Sequence, residues 1–410
     1  MKLAFINNLY PPYIIGGNEM LAKEVIEALR ARGHPVHIIT GRGRDLPHDG
    51  LTHGAIDLDL DHKEDTFLHG KKPTPLEQVE FHLYNHRTYR SVRSVLLELK
   101  PDLIVIWNLW VASMAPLIAA RQSGFPLVIH TADKWLYYGL KDWSHLVAPQ
   151  TEWKVKVVQL MRRYVQPMLF HLARPYPIIS ISEFIRRFYI TTGFDGSRIE
   201  VIHLGVPLEK FHPNGRSQPS QSRVRFLYVG TLWEGKGPQV AIQALGQLLR
   251  KRGLPKLHLD FFGKGTPGFM EYLRDHVKKA GVEDHVTFHG FVDRQDLPEI
   301  QRNHDILLFP SIWDEPFAAV PIEAMACGMA VIATTAGGTP EAIEEGRTGL
   351  LIPPNDPSAM SAAMEGLIRD PQRRLHLGQE GALAAREKYD FHTYIARLER
   401  RYSELAQRSK

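Results

Sequence analysis

The chain has one cysteine, Cys327, in 410 residues. No internal disulfide can form, and nothing suggests a cysteine-based metal site. A reducing cytoplasm is the compartment this favours. No apolar run reaches the roughly 18–20 residues that a membrane span requires. The opening Met1-Lys2-Leu3-Ala4-Phe5-Ile6 is too short an apolar stretch for a secretory leader and lacks a small-residue cleavage site; it reads as a buried first strand. Charge excess is also missing. Against 50 Lys and Arg stand 45 Asp and Glu, leaving +5, too little to indicate a nucleic-acid partner. That balance suits an anionic nucleotide or contact with the inner face of an anionic membrane. With 20 histidines present, an isolated histidine carries little functional weight.

What is present is the composition of a folded globular protein, 44% hydrophobic and 23% charged, at a length that implies two domains. Strand-like and helix-like segments alternate, which points to an α/β fold with parallel sheets and crossover helices. Lys2–Ile6, Val36–Thr40, Leu103–Trp107, Leu127–His130 and Ile178–Ser182 read as strands. Glu19–Arg32 and Arg87–Leu99 read as helices. The stretch from Phe211 to Ser222, rich in Pro, Gly, Ser and Gln, has linker composition. The alternation then restarts with strands at Arg225–Val229, Lys256–Phe262, Val286–Phe288, Ile306–Phe309, Ala330–Thr334 and Leu350–Ile352. Helices are expected at Pro238–Lys251 and Phe269–Ala280. The expected organisation is a Rossmann-like domain over 1–205, a linker over 206–222 and a second Rossmann-like domain over 223–388. A C-terminal helix over 389–410 would return toward the first domain. Each half opens with a strand, a glycine-bearing loop and a helix: Gly16-Gly17 in the first, Gly235-Lys236-Gly237 in the second. Ligands in open α/β sheets bind beyond the carboxyl ends of the strands, so two such edges facing across a cleft would suit two substrates. Residues 41–86 fit no clean pattern and are expected to be an irregular excursion on the acceptor side.

The most informative stretch runs from Phe309 to Gly328. A strand ends at Pro310, a polar loop carries Glu315, and a short helix is expected to start near Val320-Pro321 and stop at Gly328. The loop Phe317-Ala318-Ala319-Val320 would then present free backbone N–H groups at a helix N-terminus, an anion site suited to a diphosphate. Glu315 would lie in the cleft and Glu323 one turn inside the helix. Carboxylates beside a phosphate make sense as acceptors of hydrogen bonds from sugar hydroxyls. After the strand ending near Phe288, Gly290-Phe291-Val292 would approach a nucleobase.

The order Glu-Pro-Phe-x-x-x-Pro-x-Glu-Ala-Met-Ala-x-Gly, beginning at Glu315, resembles the signature of the retaining glycosyltransferases of family 4, of GT-B fold. Gly337-Gly338-Thr339-Pro340-Glu341, Gly346-Arg347-Thr348-Gly349, Gly16-Gly17-Asn18-Glu19 and Ser180-Ile181-Ser182-Glu183 resemble it too. The resemblance covers nearly the whole chain and is weakest over 41–90 and 135–175. It implies that Glu315 lies against the transferred sugar, that Glu323 holds the nucleotide ribose and that Lys236 neutralises the diphosphate. Gly16 and Gly17 would let backbone approach the donor. The implied reaction moves a sugar from a nucleotide-diphosphate-sugar donor to an acceptor hydroxyl, by front-side attack in which the departing phosphate oxygen takes the acceptor proton.

Two positions depart from the family. Thr231 stands where an arginine is usual, which removes a bidentate phosphate partner. Ala132 fills the slot of a histidine that reaches the sugar; His130, two residues earlier, is either its substitute or a strand histidine with a structural partner. Asp57-Leu58-Asp59-Leu60-Asp61 reads as a solvated strand edge, so no metal and no cofactor beyond the co-substrate is expected. Lys154–His171 reads as a basic amphipathic helix, whose basic face either lies in water or docks on a membrane that carries a lipid-linked acceptor. A catalytically weak nucleotide-sugar-binding protein, a phosphorylase and a nucleotide-sugar epimerase remain as alternatives.

Overall fold

The computed structural model describes residues 1–14, 16–58, 84–110, 112–137, 171–216 and 222–407. They form two compact units, one of Met1–Ile202 with Ile395–Lys410 and one of His203–Tyr394.

The first unit is a parallel seven-stranded sheet in the order β3-β2-β1-β4-β5-β6-β7. Its strands are β1 (Leu3–Asn7), β2 (Val36–Gly41), β3 (Thr52–Ile56), β4 (Leu103–Asn108), β5 (Leu127–Thr131), β6 (Ile178–Ser180) and β7 (Ile199–Val201). Every residue of β1, β4 and β5 is buried, as expected of central parallel strands covered by helices on both faces. The connecting helices are α1 (Gly17–Ala31), α2 (His86–Leu99), α3 (Ala115–Gln122) and α4 (Glu183–Thr191). Side-chain caps fix two of their starts: Asn85 accepts from Thr88 N at 2.8 Å and Ser182 from Ile185 N at 3.1 Å.

The second unit repeats the plan. Its six-stranded sheet runs β10-β9-β8-β11-β12-β13, from β8 (Arg223–Val229), β9 (Lys256–Phe262), β10 (Val286–Gly290), β11 (Ile306–Phe309), β12 (Ala330–Thr334) and β13 (Leu350–Ile352). Around it lie α5 (Pro238–Leu249), α6 (Pro267–Ala280), α7 (Leu297–Arg302), α8 (Ala319–Ala326), α9 (Thr339–Ala342), α10 (Pro357–Arg369) and α11 (Pro371–Lys388). Phe226, Leu259, Phe261, Ile242, Leu245 and Ile332 centre its core. On β9 the buried Asp260 accepts from His289 (2.6 Å), His304 (3.0 Å) and Arg225 (3.2 Å). Those donors hold its carboxyl far below the usual range, against the opposing effect of burial.

The last helix, α12 (Phe391–Gln407), belongs with the first unit from Ile395 onward. Ile395, Leu398 and Tyr402 are buried along one face, and the Tyr402 ring meets Phe5 of β1 edge-on at 6.2 Å. Glu399 bonds Arg32 and His34, each at 2.7 Å, behind α1.

Four expectations change. The excursion over 41–86 contains a regular strand, β3, paired with β2 in register; His53 and Gly54 carry little strand propensity, and pairing to an edge supplies what propensity lacks. Asp57 is buried and bonds Arg42 Nε at 2.9 Å, so it is no solvated edge; Asp59 and Asp61 lie outside the described residues. Within the supposed linker, Phe211 is buried and Arg216 donates to the carbonyls of Gln301 and Asp305, so this part is docked on the second unit. α8 starts at Ala319, which puts Pro321 at its third residue, still within the first turn, where no N–H partner is missed. Residues 154–170 of the basic helix lie outside the described residues.

Tyr402→Ala removes the largest side chain that α12 buries beneath β1. It is expected to destabilise the first unit by about 3–5 kcal/mol, read as a lower denaturant midpoint at unchanged slope.

Candidate active site

In the second unit the strand order reverses between β8 and β11. Crossovers leave these two strands in opposite directions, so their carboxyl-end loops diverge around a crevice, the usual ligand position in open α/β sheets. The β8 loop carries Lys236 and the β11 loop carries Glu315. Lys236 Nζ donates to both Glu315 oxygens, at 2.7 and 2.8 Å, across 79 residues of sequence. Ser311 Oγ adds a bond to Oε1 at 2.6 Å. Glu315 is only 4% exposed, while the lysine is partly open to solvent.

Glycines set this distance. Gly237 has φ +68°, and a Cβ there would come within 2.0 Å of the Pro310 carbonyl oxygen; no other residue fits both constraints. The Gly235 carbonyl accepts from Ile312 N and Trp313 N, both at 2.8 Å, which latches the two loops together. Behind Glu315, Gly337 (φ +59°) lies so close that a Cβ would be 2.4 Å from Glu315 N, and Gly338 N donates to Glu315 O at 2.6 Å.

Glu323, in α8, is also buried and pairs with Arg294 at 2.8 Å. The sequence reading missed Arg294: it sits in the loop after β10 with no local pattern to mark it. At the start of α8, Ala318 is buried while Ala319 and Val320 are partly open. Phe317 is buried, its ring parallel to His203 at 4.9 Å, and His203 Nε2 meets Glu341 at 3.1 Å. Thr231 is exposed, and its carbonyl accepts from the buried Tyr228 hydroxyl at 3.0 Å. Phe291 is exposed under the ammonium of Lys264, 4.9 Å from the ring centre, and Val292 beside it is partly open. Cys327, at the end of α8, is buried, and burial pushes its thiol up to about 12.

The other sequence-derived residues lie in the first unit. Gly16 caps α1, and its N–H donates to the buried Glu19 at 2.8 Å. A Cβ on Gly17 would meet nothing within 4 Å, so open space lies over this turn. His130 of β5 is fully buried and stacks on Trp107 of β4 at 4.0 Å. Trp107 Nε1 in turn donates to Asn18 at 2.9 Å. Neither His130 ring nitrogen has a hydrogen-bond partner among the described residues, and burial pushes the imidazole down to about 3, so it is neutral at pH 7. Nearby Asp133 is half-buried and accepts from Trp135 N at 2.6 Å. Burial, reinforced by the charge of Glu19, pushes its carboxyl up to about 6. Among the described residues no group of three or more His, Cys, Asp or Glu is placed to hold a metal ion.

Two parallel α/β units, with a lysine paired to a buried glutamate at the strand reversal of the second, are the architecture of the GT-B glycosyltransferase class. Residues 15–210 match the model of Glycosyltransferase Family 4 and residues 215–383 that of Glycosyl transferases group 1. The chain belongs to glycosyltransferase family 4. It is similar to spore coat protein SA of Bacillus subtilis (strain 168), 30% identical over 221 residues, 49% of this chain and 58% of that protein. It is also similar to the D-inositol 3-phosphate glycosyltransferase of Paenarthrobacter aurescens (strain TC1), 34% identical over 199 residues, 47% of this chain and 48% of that one. The chain thus spans about half the length of these curated relatives. Among solved structures, sucrose-phosphate synthase from Thermosynechococcus elongatus superposes with TM-score 0.76 at 21% identity over 98% of both chains. Anabaena HepE in complex with UDP-glucose gives 0.71 at 21% over 98% of this chain and 100% of that one. At such identities the likeness concerns the fold.

Asp133 supplies a pH test. Folded, it keeps its proton up to about pH 6; unfolded, it releases it near ~3.9. The folded state therefore binds the extra proton, and this contribution to stability is present at low pH and lost as pH rises from about 4 through 6. Asp133→Asn, which stays neutral, is expected to lose that part of the fall in melting temperature between pH 4.5 and 7. An unchanged difference between the two pH values would rule out the shift.

Proposed function

We propose that this chain transfers a sugar, with retention, from a nucleotide-diphosphate-sugar to an acceptor hydroxyl. The observation that carries the reading is the pairing of the partly open Lys236 with the buried Glu315 at the β8/β11 reversal. An ammonium there can neutralise a leaving diphosphate, and a carboxylate beside it can accept from sugar hydroxyls. In the reaction, the bond from the anomeric carbon to the phosphate oxygen breaks as the bond to the acceptor oxygen forms on the same face. The acceptor proton passes to the departing phosphate oxygen. Lys236 and the backbone N–H groups at the start of α8, from Phe317 to Val320, stabilise the diphosphate, and Thr231 adds one hydroxyl donor. Glu315 orients the sugar. Glu323 receives the ribose hydroxyls, and Phe291 with Val292 flanks the base. In the first unit, Gly16 and Gly17 give a phosphate or sugar close access to backbone, and His130, fully buried against Trp107, supports β5 from within as a neutral ring. The acceptor belongs to polysaccharide, glycolipid or glycoconjugate synthesis, and a lipid-linked one would bring the chain to a membrane surface. Among the described residues no helix is long and apolar enough to cross a membrane.

A thermal-shift panel of UDP-, GDP- and ADP-sugars tests the donor, since a ligand of the native state raises its melting point. UDP-sugars head the panel because a similar structure was solved with UDP-glucose. With the donor so chosen, Lys236→Ala and Glu315→Gln are each expected to lower kcat by about 10²-fold or more. Glu323→Ala should chiefly weaken nucleotide binding. Transfer at full rate by the Glu315 variant would refute the assignment.

A second reading, a nucleotide-sugar-binding protein with little turnover, is favoured by Thr231 and Ala132, where the family has an arginine and a histidine. It predicts thermal stabilisation by a nucleotide sugar with neither transfer nor hydrolysis. Phosphate-dependent release of sugar would instead point to a phosphorylase.

A further inference from the structure

Two tryptophans beside the Lys236–Glu315 pair have no part in the reaction above. Trp107 and Trp135 are fully buried, yet Trp233 is 41% and Trp313 38% exposed. Their ring centres are 6.0 Å apart and their planes meet at 62°, so the two indoles form an open angle and not a closed stack. One ring and the other's backbone are held by the same residue. The Trp233 indole lies over Gly235, where a Cβ would come within 2.1 Å of it. The Trp313 backbone N–H donates to the Gly235 carbonyl at 2.8 Å, which fixes the loop that carries the second indole. The same two loops carry Lys236 and Glu315, so platform and charged pair move as one piece. Exposed carboxylates, Glu234 and Asp314, follow each tryptophan in sequence.

We propose that Trp233 and Trp313 form a stacking platform for a pyranose ring of the acceptor, an assignment that rests on the transfer reading. Large apolar surface left open on a rigid frame marks a binding face. The axial C–H groups of a sugar fit an indole face, while its hydroxyls donate to flanking carboxylates. The exposed Glu234 counts against an anionic lipid headgroup, which it would repel. A neutral, hydroxyl-rich ring satisfies both the aromatic and the acidic groups.

The test is saturation-transfer NMR on the full chain with methyl α- and β-glycosides of glucose, galactose and mannose, in the presence of the nucleotide picked out by thermal shift. Ring C–H signals are expected from at least one glycoside with the wild-type chain. Trp233→Ala and Trp313→Ala should each weaken that binding about tenfold or more, a loss of some 1.4 kcal/mol. Phenylalanine variants should fall between. Gly235→Ala keeps both indoles but displaces one, and is expected to weaken glycoside binding as well. Nucleotide affinity should stay unchanged in the tryptophan variants. The platform is refuted if no glycoside binds the wild type, if the alanine variants bind as the wild type does, or if the loss appears in nucleotide affinity instead. Donor turnover with glycoside binding indifferent to both tryptophans would sink the platform and spare the transfer reading. Tryptophan-dependent glycoside binding without any donor turnover would support the platform and sink that reading.

Discussion

The second unit is organised around one steric requirement: two loops that leave neighbouring strands in divergent directions must touch. They do so because position 237 has no side chain. Its left-handed backbone and its contact with the Pro310 carbonyl exclude every larger residue. Everything charged at the site follows from that contact. The latch at the Gly235 carbonyl sets the height of the β11 loop, and Ser311 and Gly337–Gly338 set the direction of Glu315. The ammonium of Lys236 then meets a carboxylate whose position is already fixed.

Burial of acids is resolved in two opposite ways in this molecule. Glu315, Glu323 and Asp260 each have a cationic or protic partner at hydrogen-bond distance, and for Asp260 those partners hold the carboxyl well below the usual range. Asp133 has a backbone N–H and another acid, Glu19, nearby, and it holds its proton up to about pH 6. Removing one member of a buried pair leaves an uncompensated charge, which costs more than the pair itself contributes. A double replacement of the lysine and the glutamate by neutral residues, set beside each single variant, therefore separates function from stability.

Much of the fold could be read from the sequence, because central parallel strands are continuous apolar runs. β1, β4, β5, β8, β11 and β12 all stood out that way. So did the restart after residue 222, since a second strand, glycine loop and helix has the same local signature as the first. What escaped was non-local. β3 is made by pairing with β2, and its His and Gly residues have no periodicity to show it. Asp57 looked solvated because a run of alternating acids suggests water, whereas the arginine that buries it comes from the end of β2. Arg294 is one basic residue in a polar loop, and only the sheet order brings it to Glu323. Lys236 and Glu315 were each visible in their own glycine- and proline-marked loops. Their direct contact depends on the order of strands, which no local pattern encodes.

The lone thiol has a practical consequence. Cys327 is closed off at the end of α8, and its proton is held well above neutral pH, so it is nearly inert to maleimides and methanethiosulfonates in the native state. A cysteine introduced on any exposed helix, such as α6 or α11, would be the sole reactive sulfur without prior removal of the native one. Pairs of such sites, one per unit, would carry spin labels or fluorophores for distance measurements on an otherwise unaltered chain.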